Sequence, residues 1–128
     1  MASLIYLDTH VVAWLYATGA EALSGPATEI IEASEDVRIS PMVRLELQYL
    51  FEIGRVGEPA ANVVDALAGT LGLAVCDSSY PAVVHEALRH SWTRDPFDRL
   101  IVAQAALHGA PLVTKDQTLH QNYAAAVW

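Results

Sequence analysis

The sequence predicts an α/β fold: a central, mostly parallel sheet flanked by helices on both faces. Three observations predict it. Short apolar runs alternate with longer amphipathic stretches along the whole chain. Helix-start signals, a Ser or Asp with Pro close behind, precede several of those stretches, and glycines close them. No repeat, low-complexity tract or linker interrupts the alternation, so the 128 residues read as one domain, 1–128. Strands separated by helices imply right-handed crossovers, and so parallel strands with helices above and below.

Taken in order, Leu4–Leu7 reads as a strand and His10–Ala17 as a helix. Ser24-Gly25-Pro26 opens a second helix running to about Ala33. Val37–Ile39 is a short strand, and Ser40-Pro41 starts a helix that Gly54 ends as C-cap. A loop over 55–58 leads to Pro59 and a helix through about Thr70. Leu73–Cys76 is a strand and Tyr80–His90 a helix. Asp95-Pro96 begins a helix that stops at Gly109. The strand Pro111–Thr114, a turn of helix near Gln117 and a last strand, Ala124–Val127, complete the chain.

A hydrophobic fraction of 53% against 17% charged residues is ample for one core and argues against disorder. The single cysteine, Cys76, has no partner for an internal disulfide and reads as a buried core thiol, which suits a reducing cytosol. Met-Ala-Ser offers no basic start to a signal peptide, and no stretch approaches the ~20 apolar residues of a membrane span. The expectation is a soluble, cytoplasmic protein. Its net charge of -8 excludes a general, charge-driven nucleic-acid binder. The charge is uneven, however. Glu21, Glu29, Glu32, Glu35 and Asp36 lie in one acidic stretch, whereas Arg89, His90, Arg94 and Arg99 fall within eleven residues. Arg38, Arg44 and Arg55 bracket another helix. A local phosphate-binding rim remains open, with Arg89, Arg94 and Arg99 as its candidates.

In such sheets ligands bind beyond the carboxyl ends of the strands, where the strand order switches. Asp8 ends the first strand and Asp116 follows the fourth, so both project from that edge. Either could simply cap the helix that follows. Two acids on one edge, however, repel unless a cation lies between them. Glu46 argues more strongly. Arg44, Gln48, Glu52 and Arg55 form one polar stripe on its helix, and Glu46 points roughly 200° away from Arg44 and from Gln48. Its neighbours at three, four and seven residues are Met42, Val43, Tyr49, Leu50 and Ile53. A carboxylate on an apolar face must be paired, protonated or metal-bound. The alternative to a metal is a buried Arg or Lys, of which the chain has only seven in all. Asp98 shares a face with Ile101, Val102 and Ala105, although an acid in the first helical turn also suits the helix dipole. Asp95, at the N-cap position, is read as that cap.

Oxygen-only ligands select hard cations, Mg2+ or Mn2+, over zinc. Two such ions ~3.5–4 Å apart can activate water and stabilise the leaving oxygen of a phosphodiester.

At these residues the sequence resembles the PIN-domain ribonucleases, and most closely the VapC toxins of toxin–antitoxin pairs. The resemblance covers nearly the whole chain. It rests on Tyr6-Leu7-Asp8-Thr9, on Ser40-Pro41 with Leu45-Glu46-Leu47, on the run Asp95-Pro96-Phe97-Asp98-Arg99 through Ala105, and on Leu112-Val113-Thr114-Lys115-Asp116. It implies a single PIN-like domain and an endoribonuclease whose catalytic and metal-binding quartet is Asp8, Glu46, Asp98 and Asp116. Thr9 and Thr114 would be supporting hydroxyls, and Asp8 and Asp98 the firmest ligands of Mg2+ or Mn2+. It also implies RNA as substrate, 5′-phosphate and 3′-hydroxyl products, a homodimer, and a cognate VapB-type antitoxin that fills the active-site groove. His10 departs mildly from the small polar residue expected there and reads as a histidine packed at a helix start. His85, His90, His108 and His120 form no metal-spaced set.

Two other classes meet specific obstacles. A phospho-receiver domain needs paired acids after the first strand and an acceptor Asp after a middle one; here Asp8 is followed by Thr9 and His10, and Ile39 by Ser40. A dehalogenase-type phosphatase wants an acid two residues beyond its nucleophile, where this chain has His10. A PIN fold without activity, kept as a binding module, is opposed by the intact quartet.

Overall fold

The computed structural model describes residues 3–128. Among them, five strands form one sheet in the order β3-β2-β1-β4-β5. They are β1 (Leu4–Leu7), β2 (Asp36–Ile39), β3 (Ala74–Val75), β4 (Leu112–Val113) and β5 (Ala126–Val127). Every neighbouring pair is parallel, so the sheet expected to be mostly parallel is wholly so. Helices carry each crossover. α1 (Thr9–Thr18) and α2 (Gly25–Ala33) join β1 to β2, and α3 (Pro41–Glu52) and α4 (Ala60–Leu71) join β2 to β3. α5 (Tyr80–Ala87) and α6 (Pro96–Leu107) join β3 to β4, and α7 (Gln117–Asn122) joins β4 to β5. The chain thus starts mid-sheet, builds outward to β3, then returns past β1 to add β4. Strand order reverses between β1 and β4, which is where an open parallel sheet leaves a crevice at its carboxyl edge.

Local chemistry explains where the helices begin. Ser24, Ser40 and Ser79 each occupy an N-cap, with side-chain oxygens accepting from Ala27, Met42 and Ala82 backbone N–H groups, and a Pro lies in each first turn. Asp8, Asp95 and Asp116 cap α1, α6 and α7 in the same way. Gly109, at φ 60°, turns the chain out of α6 through a left-handed conformation that a side chain would oppose.

β1 and β4 form the centre of the core. Ile5, Tyr6, Leu7, Leu112 and Val113 are all buried, as expected for parallel strands covered on both faces. Val11 and Val12 of α1, Val43 and Leu47 of α3, and Ile101 and Val102 of α6 close over them. The helices pack as two groups, α1 with α3 and α4, and α5 with α6, and α3 also meets α6. That last contact brings Glu46 and Asp98 to the same side of the molecule. Cys76 is the buried thiol expected, 3.1 Å from the Tyr6 hydroxyl.

Several boundaries differ from expectation: the fourth and fifth strands pair only over Leu112–Val113 and Ala126–Val127, and three further differences have local causes. Ladder pairing in the third strand is confined to Ala74–Val75, although Cys76 N still donates to Ile39 O at 2.8 Å. α5 stops at Ala87 because the following residues turn, with His90 held by Glu86 at 2.9 Å and by Trp92 at 3.2 Å. A 3₁₀ turn, Gly19–Ala22, extends α1, where no element was expected.

Candidate active site

Asp8 emerges from β1 at the switch point, and both of its oxygens are engaged. Oδ1 accepts from the Thr9 backbone N–H at 2.8 Å, and Oδ2 from the Thr114 hydroxyl at 2.6 Å. The carboxyl is 6% exposed, and Thr9 and Thr114 are fully buried. Burial pushes the Asp8 pKa up; the bonds from Thr114 and Thr9 and the nearby His10 partly offset it, and Asp116 adds to it. The cap reading of Asp8 holds, and the capping geometry leaves its carboxyl at the switch point.

Glu46 enters from α3. Its carboxyl accepts from the Thr9 hydroxyl and, among the described residues, forms no salt bridge. The buried Arg or Lys that could have explained it is not there. The side chain is half-buried rather than fully so, because the helix face at Tyr49 and Ile53 is itself exposed and only Val43, Leu47 and Leu50 reach the core. Burial raises its pKa, Thr9 lowers it, and the charge of Asp8 raises it again.

Asp98 sits in the first turn of α6, half-buried on the side of Ile101 and Val102. Its pKa is pushed up to about 7, first by burial, then by the negative charges of Asp95, Asp8, Asp116 and Glu46. The other three expected acids thus act on Asp98, together with Asp95. Asp116 is exposed and caps α7, its Oδ1 accepting from Thr118 N at 2.8 Å and Leu119 N at 3.1 Å. Thr114 holds it as well, since its Oγ1 accepts from Asp116 N at 3.1 Å. Thr114 thereby serves two of the acids at once.

The donor set fits a hard divalent cation. It is built of carboxylate oxygens, it carries concentrated negative charge without an ion-pair partner among the described residues, and burial and mutual repulsion raise three of its pKa values. Among the described residues, no three His, Cys, Asp or Glu side chains close on a common point. The carboxyls share a neighbourhood; they do not form a preformed cage.

A model of the PIN domain family matches residues 5–125. The chain belongs to the PIN-domain family. It is 32% identical over 120 residues to Ribonuclease VapC22 of Mycobacterium tuberculosis, a match that spans 92% of this chain and 91% of that one. Among solved structures, it resembles the VapBC2 complex of Rickettsia felis bound to a promoter DNA fragment, with TM-score 0.67 and 18% identity over 96% of both chains. A toxin–antitoxin complex from Klebsiella pneumoniae matches with TM-score 0.63 and 18% identity, covering 99% of this chain and 97% of that one. These distant neighbours show that the fold is shared.

Within this PIN domain the basic residues fare differently from the acids. Arg89 is exposed and pairs with Glu86 at 3.3 Å, and Arg94 is exposed with one contact to Ser91 O at 3.3 Å. Arg99 is turned inward, its Nε donating to Ala87 O at 2.9 Å and fastening α6 to the end of α5. His10 is exposed rather than packed, its ring 6.0 Å from that of Trp14. Asp95, read from sequence as a cap alone, caps α6 and also raises the pKa of Asp98 and Glu46. Its place in the Asp-Pro-Phe-Asp run was the available signal, because residues one helical turn apart share a face.

Proposed function

We propose that this PIN-domain chain is an Mg2+- or Mn2+-dependent endoribonuclease that hydrolyses RNA phosphodiesters. The observation that carries the proposal is the gathering of four acids, from β1, α3, α6 and the end of β4, in one neighbourhood at the sheet's switch point, with no salt bridge to any of them among the described residues. The 32% identity to a ribonuclease supports RNA as the substrate.

Asp8, Glu46, Asp98 and Asp116 would hold the cation. Bound there, a divalent ion supplies positive charge for the phosphate oxygens and lowers the pKa of water. The chain's own residues do the rest. Thr114 and the Thr9 N–H keep the Asp8 carboxylate in one orientation, and the Thr9 hydroxyl holds Glu46 Oε1, leaving Oε2 to accept a proton from the attacking water. Water adds at phosphorus, the bond to O3′ breaks, and O3′ takes up a proton, giving 5′-phosphate and 3′-hydroxyl ends. No side-chain nucleophile is needed.

The resemblance to VapC toxins extends the proposal to a homodimer and a cognate VapB-type antitoxin. Purified chain should cleave single-stranded RNA with Mg2+ or Mn2+ and not with chelator, and Asp8→Asn or Asp98→Asn should abolish cleavage while leaving the circular dichroism spectrum unchanged. Cleavage by purified Asp98→Asn at the wild-type rate overturns the mechanism. An open reading frame for a small antitoxin beside this chain's gene is the expectation for the toxin assignment, and its absence counts against that part alone.

A further inference from the structure

An acidic site must still attract a polyanion, and Lys115 is placed to do so. It is the chain's only lysine, between Thr114 and Asp116 at the carboxyl end of β4. It is exposed and, among the described residues, forms no ion pair. Arg38, Arg89 and Arg99 are by contrast engaged with Asp36, Glu86 and the Ala87 carbonyl. The Lys115 ammonium lies 5.9 Å from the ring centroid of Trp14 and 5.8 Å from that of Trp128, and these indoles meet edge to face at 5.7 Å. Two aromatic faces hold a long, flexible side chain in place through cation–π attraction while leaving its N–H donors free. Trp14 stands one helical turn after His10 on α1, the helix that Asp8 caps. The same edge of α1 borders a cavity of about 510 Å³. A cation and a half-buried aromatic face thus flank the acids on the side of Asp8 and Asp116.

We propose that Lys115, held over Trp14 and Trp128, binds the backbone phosphate of the nucleotide next to the scissile bond, and that Trp14 stacks on its base. The ligand is single-stranded RNA, because a base can reach an aromatic face only when it is free of a duplex stack. Stacking and a point charge read no base edge, so the subsite adds affinity without sequence choice. The inference rests on the ribonuclease reading above.

The test uses the full chain carrying Asp98→Asn, so that bound RNA survives. A single-stranded oligouridylate titrated into it should quench tryptophan fluorescence, and a duplex of equal length should quench weakly. Lys115→Gln should raise Kd about 10-fold and reduce the slope of log K against log salt by about 0.7. Lys115→Arg should restore both. Trp14→Leu should raise Kd roughly 5- to 100-fold and remove most of the quenching, as loss of one stacked base predicts. Trp92→Phe, on the α5–α6 side, should keep it. Wild-type affinity and salt slope in Lys115→Gln overturn the subsite even if Trp14→Leu fails to fold. Were the chain with Asp98 restored to cleave RNA while Lys115→Gln kept its KM, the subsite would fall and the nuclease reading stand. Absence of both binding and cleavage would overturn the two together.

Discussion

The Thr114 hydroxyl donates to Asp8 Oδ2 at 2.6 Å, tying together the carboxyl ends of β1 and β4 where the strand order reverses. The same oxygen accepts from Asp116 N at 3.1 Å. A fully buried hydroxyl used in both directions is hard to replace. Thr114→Val keeps the shape and removes both bonds, leaving a buried carboxylate oxygen and a backbone N–H short of a partner. The expected cost is about 1–3 kcal/mol, read as a lower urea midpoint with unchanged m-value, together with a large loss of cleavage rate. Thr114→Ser should recover most of both.

Asp98 makes stability depend on pH. A carboxyl whose pKa is higher in the fold than in the unfolded chain contributes stability that is complete below the unfolded value and lost as pH rises through the folded one. For Asp98 that window runs from the ordinary 3.8 to about 7. Without divalent ions the protein should therefore be less stable at pH 8 than at pH 5. Asp98→Asn should raise stability at pH 8 by roughly 1–2 kcal/mol, after discounting for its partial exposure to solvent, by about a third of that at pH 5, and hardly at all below the unfolded value. Mg2+ or Mn2+ at 100 times its Kd should restore about 2.7 kcal/mol to the wild type at pH 8, and much less to the variant. Thermal melts at the two pH values check each part.

Thr9 lowers the Glu46 pKa through the hydroxyl that Glu46 accepts. Removing that hydroxyl in Thr9→Val leaves burial and the charges of Asp8 and Asp95 opposed only by His10, so the Glu46 pKa rises further. The acidic limb of the kcat–pH profile should move to higher pH, while the rate well above that limb falls less. Glu46→Gln should instead lower the rate at every pH. A Thr9→Val profile superimposable on the wild type would mean that Glu46 exchanges no proton in the rate-limiting step.

The acids were readable because each lies at a position that local rules define. Asp8 and Asp116 follow short apolar strands, Glu46 falls off its helix's polar stripe, and Asp98 stands in a first turn opened by Asp95-Pro96. Angular position on a helix, however, says nothing about depth, which is why Glu46 is half-buried where full burial was expected. Nor does spacing show where a flexible side chain turns. Arg99 belongs by sequence to a basic cluster, yet its Nε is committed to Ala87 O. Lys115 and Trp14 lie 101 residues apart, and only the β1–β4 pairing brings their segments together. The shortened third strand has the same origin, since pairing depends on a neighbour's register.

Arg94 and Arg99 separate steering from structure. Arg94 is exposed with a single backbone contact, so Arg94→Ala should leave the free energy of unfolding in urea within ~0.5 kcal/mol of wild type. If it meets substrate phosphate, the variant should bind single-stranded RNA more weakly and with a salt slope reduced by about 0.7. Arg99→Ala should behave differently. It removes the donor to Ala87 O, one of the ties between α5 and α6, at an expected cost of about 1–2 kcal/mol. Its salt slope should change less than that of Arg94→Ala, since an inward guanidinium neutralises phosphate poorly. Equal slopes in Arg94→Ala and wild type would remove Arg94 from the binding rim and leave Lys115 as the cation to test there.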